Sequence, residues 1–211
     1  MPWTSPYVTM RPFHRGRASM ATDSGVARIK GSVLISRLNL LAKQPGTKRL
    51  EVLQRLPPAD RKVLDGVILP IGWYPMELNL RLDAAIAMVL SPRDRTKAFV
   101  DMGRASAEEN LKGPHHVFLR QGDPHFLLSH AQEIYRLYYA VGLRSYEKTG
   151  SHGGVLRTLG AESVTEADCL TIIGWYLRAI ELSGGRDVRV EHTKCRARGN
   201  DCCEYVCSWA L

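Results

Sequence analysis

Three cysteines and one histidine near the C-terminal end have the types and spacing to hold a metal ion. They are Cys169, His192, Cys195 and Cys203, written C-x22-H-x2-C-x7-C. Thiolate and imidazole are the usual ligands of tetrahedral zinc, and four protein ligands leave no open position for substrate. A metal so enclosed holds a fold together rather than running a reaction, which points to a sensor or binding module more than to a zinc hydrolase. The five cysteines are confined to 169–207, with none before them. That pattern fits a reduced cytoplasm and a metal, because a secreted disulfide scaffold spreads its cysteines along a short chain.

The flanking residues say which elements must bring the four together. Thr165-Glu166-Ala167-Asp168 is a helix-start pattern with Thr165 as the cap, so Cys169 falls in or near the first turn. The partial positive charge at a helix N-terminus favours the thiolate that a metal needs. Ile172, Ile173, Tyr176 and Ile180 follow at helical spacing, and Gly184-Gly185 supplies the stop. Val188, Val190 and His192 then alternate along one face of a strand, with Cys195 in the turn beyond it. On the returning strand Cys203, Tyr205 and Cys207 share one face, whereas Cys202 and Glu204 share the other. Cys203 is the expected ligand if its face is the one toward His192; otherwise Cys202 takes its place. Cys207 reads as core. Zinc at this point would fasten a helix to a hairpin.

The basic charge does not require nucleic acid as the partner, although a basic face can attract phosphates. The formal balance is +8, and Arg11, Arg15 and Arg17 precede the first acid, Asp23. A second basic group, Arg186, Arg189, Lys194, Arg196 and Arg198, surrounds the proposed metal, where three thiolates around a divalent ion leave local negative charge to balance. No apolar run is long enough to span a bilayer. Residues 1–24 read as a flexible basic arm, or as sequence upstream of a true start at Met20.

The expected fold class is α+β: N-terminal helices, then a small antiparallel sheet packed with helices and a zinc-stapled C-terminal hairpin. Residues 25–112 form the helical part. A strand-like start runs into a helix before Pro45-Gly46, and Thr47 caps a short helix that Pro57-Pro58 stops. A turn at Gly72-Trp73-Tyr74-Pro75 precedes a helix over 76–90, and a further helix runs from about 94 to 111. Residues 113–211 form the second part. Pro124 opens one helix to Ala140, and glycines at 150, 153 and 154 separate two extended pieces that read as a hairpin.

The tail from about Tyr138 to Trp209 resembles the 4-vinyl reductase domain, a small-molecule-binding module related to haem-NO-binding domains and TRAPP tethering subunits. Gly174, Leu177 and the run from His192 through Cys195, Gly199 and Cys203 to Tyr205 carry the resemblance. The whole chain, including Trp73-Tyr74-Pro75 and Met102-Gly103-Arg104, is also similar to a family of myxobacterial proteins with this tail. Carried across by position, the family's structural zinc ligands become Cys169, His192, Cys195 and Cys203. The departure is His192, where the sensors have a glutamate. The resemblance implies a pocket for an apolar or aromatic small molecule, with His130, Tyr135, Tyr138, Tyr139, Trp175 and Tyr176 as candidate lining. Haem is implied by analogy, with His116 and His130 available, although no Cys-x-x-Cys-His attachment motif is present.

The function so implied is a non-enzymatic small-molecule sensor with a structural Zn2+, its output passing through a protein partner or homodimerisation. The alternative is a protein-interaction scaffold of the same fold without a small ligand. No Gly-x-Ser-x-Gly, Walker A, Gly-x-Gly-x-x-Gly or His-Glu-x-x-His motif supports an enzyme.

Overall fold

The computed structural model describes residues 27–161 and 165–211, so the basic arm expected over 1–24 lies outside it. The N-terminal half follows its chain breakers. Strand β1 (Arg28–Lys30) runs directly into α1 (Gly31–Ala42), and Pro45 and Pro57 stand immediately before α2 (Gly46–Gln54) and α3 (Pro58–Leu64). A proline ring has the fixed φ of a helix entry but cannot continue a preceding helix. Pro45, not Thr47, therefore occupies the cap position of α2. Where a turn was expected, β2 (Trp73–Pro75) pairs antiparallel with β1, Ile29 opposite Tyr74. Pairing satisfies the backbone beside buried Ile29 and lays the Lys30 ammonium over the Trp73 ring at 3.8 Å.

Helix α4 (Met76–Leu90) buries Leu78, Leu82, Ala85, Ile86 and Val89, the face its periodicity predicts. Asp94 caps α5 (Arg95–Lys112) by accepting from the Lys97 amide at 2.9 Å. Between α1 and α4, Arg37 makes a buried two-pronged bond to Asp83, at 2.8 and 3.1 Å. The single helix expected over 124–140 is instead two, α6 (Pro124–Ser129) and α7 (Ala131–Tyr138), broken at His130. The His130 Nδ1 bonds the Phe126 carbonyl at 2.8 Å and so takes up an acceptor that the continuing helix would have used.

The second half is a four-stranded antiparallel sheet, order β3-β4-β6-β5. Strands β3 (Leu143–Gly150) and β4 (Gly153–Leu159) form the expected hairpin, α8 (Glu166–Leu182) crosses over, and β5 (Arg186–Lys194) returns as the far edge beside β6 (Cys203–Ala210). Leu156, Cys203, Tyr205, Cys207 and Trp209 supply the buried face of the inner strands.

The two halves meet where α5 crosses α8, and glycine permits the crossing. A Cβ on Gly103 would lie 1.9 Å from the Thr171 carbonyl oxygen, and one on Gly174 would lie 1.9 Å from that of Val100. The backbones themselves are in contact. Arg104 and Arg178 on facing helices both bond Glu181, and Arg178 also reaches Glu108. Among the described residues no helix is long and apolar enough to cross a membrane.

Candidate functional site

The four sequence-predicted ligands come from one helix start, one strand end and one strand start. Thr165 caps α8 by accepting from the Asp168 amide at 3.3 Å, which places Cys169 in the first turn. Strand β5 sets His192 opposite Tyr205 and Lys194 opposite Glu204, so Thr193 is the extra residue of a bulge. The bulge turns the end of the strand inward toward Cys195. From there the chain is held by local bonds. The Cys195 amide donates to Asn200 Oδ1 at 3.0 Å, its carbonyl accepts from Arg198 and Asn200, and Gly199 takes the left-handed φ of 88° that closes the turn. Cys203 then opens β6 on its buried face, opposite Thr158 of β4.

One ligand atom from each of Cys169, His192, Cys195 and Cys203 lies within 4.8 Å of every other. The Cys169 Sγ is 3.9 Å from that of Cys195 and 3.7 Å from that of Cys203. Zinc–sulfur bonds of about 2.3 Å at tetrahedral angles place sulfurs about 3.8 Å apart, which these two separations match. The Nε2 of His192 is buried without a hydrogen-bond partner, an orphan that such an ion would explain. The imidazole lies flat against Tyr205, ring centroids 4.8 Å apart and planes 11° from parallel, which fixes its orientation.

The electrostatics favour a thiolate at Cys203. A hydrogen bond from Cys169, then the Arg196 amide at 3.4 Å and His192, pull its thiol down to about 5. Cys169, holding the shared proton and buried, is pushed up. Cys202 is also buried but points to the other face, and burial followed by the Asp201 charge raises its thiol. The surrounding cations are engaged locally: Arg196 donates to the Ala161 carbonyl, Lys194 pairs with Glu204 at 3.5 Å, and Arg198 with Glu166 at 3.5 Å.

Beside this cluster, between the helices and the sheet, lies a cavity with ≈ 50 Å³ of room for water-sized spheres. Tyr135, Tyr138, Tyr139, Trp175 and Tyr176, five of the six residues expected at a pocket, line it. His130 does not; its ring packs on Phe118 and Phe126 at the α6–α7 break. The wall also carries Arg37 and Arg144, which the sequence reading did not single out. Neither belongs to a motif, and an isolated arginine, in α1 or in β3, reads as solvated surface. A smaller recess continues from the cavity past Arg144 and Asp168 to Cys169 and Cys203. Asp168 is buried there, and burial, then the Asp83 charge, pushes its carboxyl up to about 7.

No protein-family model matches the chain, and no curated protein matches it. Solved structures do. An H-NOX protein from S. oneidensis in its Fe(II)NO ligation state is 15% identical, with a TM-score of 0.68 over 86% of this chain and 99% of that one. Unliganded Fe(II) H-NOX protein from K. algicida is 11% identical, with a TM-score of 0.64 over 86% and 97%. An oxygen-binding H-NOX domain related to soluble guanylate cyclases is 11% identical, TM-score 0.60, over 86% and 95%.

Haem is the group this fold brings to mind, one of the similar structures having been solved to probe haem distortion in the H-NOX family. The residues here do not fit it. A cavity of ≈ 50 Å³ is about a third of the ~150 Å³ void that accepts benzene, and α5 and α8 touch through their backbones beside it. Among the described residues, none that lines the cavity is a histidine, cysteine or methionine. His115 bonds Tyr138 Oη at 2.8 Å from behind the wall, His116 is exposed and bonds Gly113, and His125 bonds Tyr146 and Ser151. What this chain shares with the H-NOX proteins is the fold.

Proposed function

We propose that this chain is a non-enzymatic small-molecule sensor module whose binding wall is held by one structural Zn2+. The observation that carries the reading is the convergence of Cys169, His192, Cys195 and Cys203 within 4.8 Å of one another beside an aromatic cavity. In this reading the metal supplies a cross-link between the start of α8 and the β5–β6 hairpin, and with four protein ligands it has no position for substrate. Cys169 anchors the helix that carries Trp175 and Tyr176, while His192 and Cys203 anchor the sheet that faces them. Loss of the cross-link would therefore loosen the cavity as well as the tail. The finer assignment, a 4-vinyl-reductase-type domain working in a reduced cytoplasm, rests on the ligand spacing and the free cysteines. The similar structures, named as NO-ligated and oxygen-binding H-NOX proteins, support small-molecule sensing on this fold.

A second reading, a protein-interaction scaffold, has its own support. The loop before β2 exposes Val67 and Ile71 at 88% and 81%, unusual for isolated apolar residues beside a closed core. The same surface serves the sensor reading as an output face toward a protein partner or a second copy. Native mass spectrometry of the purified protein separates the two. One zinc per chain with a co-purified organic molecule supports the sensor, one zinc in an empty homodimer supports the scaffold, and absence of zinc overturns the structural-metal assignment on which both rest.

A further inference from the structure

Among the described residues, Arg144 is the one arginine with a buried guanidinium nitrogen that has no hydrogen-bond partner. It sits near the start of β3, 6% exposed, on the wall shared by the cavity and the recess. Its Nε donates to Thr158 Oγ1 at 2.9 Å and its Nη1 to Tyr176 Oη at 3.2 Å, while its Nη2 has no hydrogen-bond partner. The guanidinium lies over the Tyr135 ring at 4.6 Å and near the Tyr176 ring at 5.5 Å. Among the described residues no carboxylate comes within ion-pair distance of it. The contrast with Arg37 on the same wall is direct, because Arg37 is matched on both prongs by Asp83. The buried Asp168 carboxyl on the same recess feels its charge without reaching ion-pair distance, so the pair of N–H donors on Nη2 has given up water without receiving an acceptor in return.

We propose that the cavity binds a small monocarboxylate, its carboxylate on the free Nη2 edge of Arg144 and its short apolar part against Ile134, Ile172 and Trp175. This rests on the small-molecule reading above and names the ligand class for that site. Guanidinium is the side chain best matched to a planar carboxylate. Room of ≈ 50 Å³ corresponds to about three or four water-sized atoms, the scale of acetate or propionate. Val33, Ile134, Ile172 and Trp175 on the same wall favour a carboxylate with a short apolar tail over an inorganic oxyanion, which would leave that surface uncovered.

The test is isothermal titration of the full-length, zinc-loaded protein with propionate, its neutral isostere propionamide, nitrate and benzyl alcohol, at constant ionic strength. Propionate is expected to bind at least tenfold more tightly than propionamide and nitrate, and Arg144→Gln to abolish that preference. The propionate–propionamide comparison on the unaltered protein decides the matter even where the variant folds poorly. Equal binding of propionate and propionamide overturns the carboxylate assignment, and so does nitrate binding as tightly as propionate. Benzyl alcohol binding without propionate removes the carboxylate while leaving the sensor reading intact. If no probe binds, Nη2 is simply hydrated and the small-molecule reading falls with it.

Discussion

The cysteine–histidine cluster and the cavity lie side by side, yet they are built in opposite ways. The cluster draws three of its four residues from a stretch of a dozen positions, and all four are ligand types that have few other reasons to converge. The cavity draws its wall from α1, α5, α7, β3 and α8, using tyrosine, tryptophan, isoleucine and arginine, each at home in any core or surface. A cluster whose chemistry is rare can be read from spacing alone. A cavity whose chemistry is common exists only after the fold has assembled it.

Removing one ligand is the strongest way to test that contrast. Cys195→Ser should lose the metal, measured by mass spectrometry, and cost about 4 kcal/mol or more, lowering Tm by roughly 8–16 °C. The loss falls short of the ~10 kcal/mol or more that zinc contributes in isolated fingers, because the helical core remains. A variant that melts like the parent would remove the clamp from the account. Next in size is Gly174→Ala, whose Cβ meets the Val100 carbonyl oxygen at 1.9 Å, a rigid backbone atom. It should cost about 3 kcal/mol while the zinc content stays at one per chain, damaging the cavity side and sparing the cluster. Simultaneous loss of metal would show that the two regions are one mechanical unit. The smallest effect belongs to Cys202→Ser, expected to change stability by less than about 1 kcal/mol with metal retained. Loss of zinc there would reassign the fourth ligand.

Legibility in the sequence tracked the same divide. The Thr165 cap, the Gly184 stop and the β5–β6 alternation were all visible because capping, left-handed φ and period-2 burial are local effects. The break at His130 was not, since it depends on a side-chain bond to Phe126 that competes with the helix ladder. Nor was the β1–β2 pair, whose strands of three residues each are separated by three intervening helices. Arg144 was invisible for a different reason. Its burial follows from the stacking of Tyr135 and Tyr176 around it, which no spacing in β3 announces.

The glycine crossing also dictates how this molecule can move. With carbonyl oxygens occupying the places of two absent side chains, α5 and α8 can neither slide past one another nor approach more closely. What remains is a tilt about the contact, a see-saw with Gly174 as its pivot near the middle of α8. At 1.5 Å of rise per residue each arm is about 12 Å long. A metal clamp at Cys169 would hold one arm still. A push from the cavity would then be felt at the other arm, where Arg104, Arg178, Glu108 and Glu181 form their ion pairs.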